Sequence, residues 1–130
     1  MKTLAHGELS QKIISAALAV HRQLGHGFLE KVYRNALEIE LREAGVGCNV
    51  EVPLKVNYRG QEVGVYYADM IVERKIVVEV KAVSTLLPVH EVQLVNYLKA
   101  TGMRLGLLIN FGQSVKVKRR IFGYDEEEPE

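Results

Sequence analysis

Apolar positions change their period along this chain, and the changes mark out its elements. Leu9, Ile13, Ala17 and Leu24 recur at helical spacing, which predicts a helix over 8–25 with Gly25 suited to its end. FLEKVYRNALEIELREAG (28–45) predicts a second helix closing at Gly45, and the intervening Gly25-His26-Gly27 forces a turn. From residue 50 the pattern turns to strands. VEVPLKVNYRG (50–60), QEVGVYYADMIVE (61–73) and RKIVVEVKAV (74–83) are rich in Val, Ile and Tyr, with Arg59-Gly60 as a turn. Pro88 precedes a third helix over 89–102, ending at Gly102, and two more strands occupy 103–112 and 113–123. The order α-α-β-β-β-α-β-β predicts an α/β fold with a mixed central sheet flanked by helices. It implies a meander, then a right-handed crossover through the third helix into a parallel strand.

Three polar residues interrupt the apolar middle. Side chains alternate along a strand, so Glu79 and Lys81 share a face with Val77 and Val83, while Ile76, Val78, Val80 and Ala82 form an apolar face for the core. On the preceding strand Asp69 is expected on the face of Val65, Tyr67 and Ile71. A hairpin centred on Arg74 sets Asp69 opposite Glu79 and Tyr67 opposite Lys81, whereas a two-residue turn sends the two acids to opposite faces. Directly opposed like charges destabilise a sheet. Lys81 as a structural ion partner, or a divalent cation held by the hard carboxylate oxygens, would offset the repulsion. The strand pattern alone leaves a solvated ion-pair face and a metal site equally open.

The helices add candidates. At 100° per residue Glu30 falls in the apolar stripe of Leu37 and Leu41, near Tyr33, and away from the polar face of Lys31, Arg34, Asn35 and Glu38. A core-facing carboxylate needs a partner. Glu40 falls in the same stripe, and a buried salt bridge is the structural alternative for either acid. In the third helix His90, Gln93 and Tyr97 lie within an arc of about 60°. On the helix alone, a partly buried amphipathic face is the favoured explanation of them.

Composition excludes more than it selects. With 130 residues, 48% hydrophobic and 25% charged, the chain has the makings of one folded domain with a real core. No apolar run approaches a membrane span, and the first residues lack the apolar stretch of a signal peptide. Cys48, the only cysteine, excludes an internal disulfide and fits a reducing compartment, so a cytoplasmic protein without membrane contact is expected. His6, His21, His26, His90 and Cys48 have no zinc-ligand spacing. The net charge of +1 conceals an uneven distribution. Five acids sit in DEEEPE (125–130), leaving 17 Lys+Arg against 11 acids over residues 1–124. DEEEPE reads as a flexible, solubilising tail. Lys116, Lys118, Arg119 and Arg120 concentrate just before it, as a solvated face or as contacts to phosphate.

Taken in order, these residues resemble the PD-(D/E)xK nuclease superfamily. The signature appears as Asp69, then Glu79-Val80-Lys81, and the following helix carries Gln93-x-x-x-Tyr97, similar to the RecB-type branch. Gly27, Glu30 and Tyr33 spell the motif of the small prokaryotic GxxExxY proteins. Glu-x-Lys alone is common, but the ordered set is specific, and the one departure is Ala68 where a proline precedes the aspartate in the signature. The resemblance covers about residues 8–123 and implies a restriction-endonuclease-like core, αβββαβ, with an extra N-terminal helix and a C-terminal strand. It implies a single nuclease-like domain over 1–124 ahead of the tail. By position, Asp69, Glu79 and the Val80 carbonyl would hold Mg²⁺ or Mn²⁺, with Glu30 as a further ligand or acting through water. Lys81 would position the attacking water, and Gln93 and Tyr97 would orient the site or touch phosphate; Tyr33 reads as packing. The expected activity is metal-dependent hydrolysis of DNA, with a homodimer expected by analogy with other small nucleases. Two other readings stay open: a catalytically silent nucleic-acid-binding module of the same fold, and a structural or protein-interaction domain.

Overall fold

The computed structural model describes residues 3–4, 6–123 and 127–128. Strand β1 (Thr3–Leu4) leads into helices α1 (Gly7–Leu24) and α2 (Glu30–Glu43), then strands β2 (Cys48–Tyr58), β3 (Gln61–Val72) and β4 (Ile76–Lys81). Helix α3 (Pro88–Thr101), β5 (Leu105–Phe111), β6 (Val115–Ile121) and β7 (Glu127–Glu128) complete the chain. The backbone of β7 pairs antiparallel with β1, and positions 125, 126, 129 and 130 of the acidic end lie outside the described residues. The main sheet has five strands in the order β2-β3-β4-β5-β6. Its strands pair antiparallel except β4 and β5, which α3 connects in parallel. This is the expected α/β architecture, a mixed sheet between helices.

Both sheet faces are covered, which explains why β4 and β5 are almost continuously apolar. On one face α1 and α2 bring Ile13, Ala17, Tyr33, Leu37 and Leu41 against Ile76, Val78 and Val80. On the other, α3 sets Leu94, Tyr97 and Leu98 against Leu54, Ala68, Val77 and Leu108. Gly106 permits the close seat of α3, because a Cβ there would stand 2.7 Å from Leu94 Cδ1.

The turn between α1 and α2 is clamped from within. Tyr33, fully buried, stacks on Phe111 with ring centroids 4.7 Å apart. Its hydroxyl donates to the Gly25 carbonyl at 2.6 Å and accepts from the Phe28 N–H at 3.3 Å. Gly25 and Gly27 take φ of 72° and 106°, left-handed values that glycine tolerates best. The clamp fixes where α2 begins, two residues later than the pattern suggested, with Glu30 as its first residue.

The β2–β3 hairpin turns over along its length. Near its base Cys48, Val50, Met70 and Val72 pack on the α1–α2 side, yet Val52, Leu54 and Ala68, at the same parity, pack on the α3 side. The pairing register stays constant from Cys48↔Val72 to Val56↔Gly64, but Glu51 and Asp69 are not paired, and Glu51 takes φ of 50°. The hairpin rotates at this step. Asp69 therefore does not share one face with Ile71 and Tyr67, as simple alternation predicts.

Candidate metal and nucleic-acid site

Strands β3 and β4 meet in the first of the two registers open to the sequence, the hairpin centred on Arg74. Glu73 and Arg74, at φ of 53° and 56°, make the turn, and Val72↔Ile76, Ile71↔Val77 and Met70↔Val78 pair in succession. Backbone pairing then stops. At the next step the Asp69 N–H donates to Glu79 Oε2 at 2.8 Å, and the Val80 N–H donates to Asp69 Oδ2 at 2.8 Å. Each carboxylate takes a donor that a ladder bond would otherwise satisfy, so the strands part without stranding backbone groups. Tyr67 and Lys81, expected to face each other, lie beyond the last paired residues and do not pair.

Burial sets the electrostatics of the pair. Glu79 is 5% exposed and Asp69 half-buried. Burial, then the neighbouring Asp69 charge, pushes the Glu79 carboxyl up to about 8. Asp69 is also raised, chiefly by burial, against the Val80 N–H and the Lys81 charge, which favour its ionised form. Lys81 acts on both carboxylates in the stabilising sense and Glu30 on both in the opposite sense. These four residues therefore form one electrostatic group.

Glu30 reaches the group from an unexpected position. It is exposed on the first turn of α2, not turned into the apolar stripe, because the helix starts here and its early positions clear the core. A carboxylate at a helix N-terminus is also favoured by the backbone dipole. Glu30 lines a hollow of about 430 Å³ with Lys31, Arg34, Asp69 and Val80. Glu40 lines a separate hollow with Glu8 and Lys12 and takes no part.

Arg34 overturns the polar face assigned to α2. It is 8% exposed, and its Nη1 donates to Glu51 Oε1 at 2.9 Å while Nη2 donates to Asn35 Oδ1 at 2.8 Å. It thus ties α2 to the step where the hairpin turns over, and its charge stabilises the Asp69 anion. Its position four residues after Glu30, on the same side of one helix, was the available signal. Asn110 was missed too, though a lone amide closing the apolar run LGLLIN marks it. Its side chain accepts from the Val83 N–H at 2.9 Å and donates to the Val83 carbonyl at 2.8 Å, holding the segment just past Lys81, with which it is in register.

On α3, Gln93 Nε2 donates to the Tyr97 hydroxyl at 3.2 Å. Tyr97 is buried, and burial, then the charges of Glu79 and Asp69, raises its phenol to about 12. The phenol therefore stays protonated beside the acids. His90 separates from these two, since its Nδ1 accepts the Leu87 N–H at the start of the helix.

The basic strand does not form one patch. Lys116, Lys118 and Arg120 alternate with Arg119 along β6, and Arg119 turns to the α1 side, where Nη1 approaches Ser10 Oγ at 3.4 Å. Arg120 is bound to Glu91 of α3. Lys118 is in register with Leu108 and Glu79, and Lys116 with Asn110 and Lys81, each two strands across the sheet. That displacement is about 10 Å.

The donor chemistry fits a hard divalent cation. Two adjacent carboxylates, one buried and one half-buried, are raised in pKa despite the charges of Lys81 and Arg34, and Oδ1 of Asp69 and Oε1 of Glu79 accept no hydrogen bond among the described residues. Three or more His, Cys, Asp or Glu side chains do not converge on one point among the described residues. Any further ligand must come from backbone, water or substrate.

Residues 7–121 match the family model of the PD-(D/E)XK nuclease superfamily. The chain belongs to that superfamily. Nucleases of that superfamily generally use divalent metals. No curated protein matches the chain. The crystal structure of SSO0001 is similar at a TM-score of 0.56 and 24% identity, covering 74% of this chain and 51% of that one. This likeness shows the shared restriction-endonuclease-like fold, and the present chain spans about half the length of that protein. Among the described residues no helix is long and apolar enough to cross a membrane.

Proposed function

We propose that the chain is a divalent-metal-dependent nuclease of the GxxExxY type that hydrolyses DNA phosphodiester bonds. The reciprocal bonds of Asp69 and Glu79 to each other's strands carry this reading. They hold two carboxylates rigidly side by side where a plain sheet would place two backbone bonds. Asp69, Glu79 and the Val80 carbonyl are the proposed metal ligands, with Glu30 acting from the rim through water. Mg²⁺ or Mn²⁺ bound there would neutralise phosphate charge and acidify water.

The chain's own groups supply the rest. Lys81 orients the water whose oxygen attacks phosphorus and offsets charge that builds as the phosphorus–oxygen bond to the leaving group breaks. Tyr97, kept protonated, donates a hydrogen bond and is itself oriented by Gln93. Lys31 and Arg34 line the hollow above Asp69 and suit a phosphate. Lys116 and Lys118 lie on the other face of the sheet, the α3 side, two strands from Lys81 and Glu79, and charge reversal there should weaken binding of every sequence alike.

Lys81→Ala should lower metal-dependent cutting by about 10²–10³-fold with the circular dichroism spectrum unchanged. Undiminished cutting by the variant would exclude the assignment. One observation favours a silent nucleic-acid-binding module instead: Glu30 stands exposed, so that among the described residues no third acid converges on the pair. Salt-sensitive binding without turnover in Mg²⁺ or Mn²⁺ would select that reading.

A further inference from the structure

A second concavity, walled in part by Tyr97 and Gln93, lies on the opposite side of the sheet from the Glu30 hollow. It measures about 720 Å³ and lies between α3 and the projecting β2–β3 hairpin. Its wall includes Tyr66, Tyr97, Gln93, Asn96, Lys55 and Lys99. The volume is ample for one nucleotide.

The aromatic content of this region is unusual for its exposure. Tyr66 is 51% exposed, with its ring centroid 5.9 Å from that of Tyr97 and tilted by 47°. Tyr67 and Tyr58 on the same hairpin are each 61% exposed. Tyr97, in the groove wall, shares a core cluster with Ala68 and Val77, the residues next to Asp69 and nearest Glu79 on that face, and it feels the charges of both acids, so it links the groove to the carboxylate pair. Hairpin tyrosines are free to be there only because the hairpin turns over at Glu51 and Asp69; without that rotation, position 66 would continue the face of Met70 and Val72.

We propose that this groove receives an unpaired nucleotide of the substrate, with Tyr66 as the stacking platform, so that the chain acts on single-stranded nucleic acid or on unpaired ends. The inference rests on the nuclease reading and names the form of its substrate. A base inside a duplex has both faces covered by its neighbours and cannot stack on a side chain, whereas an unpaired base can. Gln93 and Asn96 present amides that can meet base edges in either hydrogen-bonding sense. Lys99 on one wall and Lys55 on the other, the latter 3.8 Å from Glu62 Oε1, match the charge of a phosphate chain. A single strand offers one scissile chain, so one subunit suffices and the homodimer expected from size is not required.

The test is binding of a labelled single strand of about 12 nucleotides, and of the same sequence as a duplex, to the full chain in Ca²⁺. Wild type should bind the single strand at least about tenfold tighter than the duplex. Tyr66→Ala should lower single-strand affinity by about 5- to 100-fold, Tyr66→Phe should retain it within about twofold, and neither should alter duplex binding. The exposed position makes both variants fold-neutral, which a thermal melt checks. Equal affinity for both forms, or Tyr66→Ala within about twofold of wild type, overturns the inference and leaves the nuclease reading standing. Binding of neither form overturns both.

Discussion

The two halves of the β3–β4 pair make an instructive contrast. From Val72↔Ile76 to Met70↔Val78 the strands exchange ordinary backbone bonds between buried apolar residues. One step further, Asp69 and Glu79 replace those bonds with their carboxylates and the strands diverge. The same two strands are thus a core element at one end and an acidic cleft at the other. Polar residues are tolerated in the second half because they satisfy backbone donors there. They also leave part of each carboxylate available, which an apolar pair could not do.

The largest effect should come from removing either acid. Asp69→Ala and Glu79→Ala should each reduce cutting by at least about 10³-fold, or ~4 kcal/mol of barrier, and abolish Mg²⁺ binding in calorimetry. Stability should move less. A stranded N–H costs about 1–3 kcal/mol, but the deletion also removes a polar carboxyl that is costly to bury. Retention of full Mg²⁺ binding in both variants would break the distinction between the two halves.

A smaller effect separates charge from shape. Folded, Glu79 keeps its proton to about pH 8, whereas an ordinary glutamate releases it near 4.5. Across that window the folded state binds more protons than the unfolded one, so stability falls as pH rises. In EDTA the unfolding free energy should drop between about pH 5 and 8 by on the order of a few kcal/mol. Glu79→Gln, which keeps an acceptor for the Asp69 N–H, should flatten the slope, and Mg²⁺ should oppose it in the wild type. A wild-type profile that is already flat would show that the pair is not short of positive charge.

The smallest effect belongs to the regular half. Ile76→Val should cost about 0.5–1.5 kcal/mol in denaturant unfolding and leave turnover unchanged. A tenfold loss of turnover would mean that the cleft depends on core packing far more than its hydrogen bonds imply.

Much of this was legible in the chain itself. The periodicities gave every element of the main sheet in order, because apolar spacing of 3.6 and 2 is imposed locally by burial of one side. The hairpin centred on Arg74 was one of two registers the sequence allowed, and the pairing of Met70 with Val78 selects it. Glu30 was misread because wheel geometry assumes that a helix continues past the residue, whereas the Tyr33 clamp starts α2 there. Arg34 was assigned to water because its partner, Glu51, lies in another element.

What the sequence determined by itself, then, was the order of elements and the types of residue available for chemistry, with the register of β3 against β4 narrowed to two choices, all properties of neighbours along the chain. The tertiary structure alone decided the rotation at Glu51 and Asp69, the exchange of backbone bonds for carboxylates, the burial of Arg34 and the tyrosine-lined groove. These depend on which segments meet across the sheet, and residues distant in sequence acquire their burial, partners and charge only when they meet.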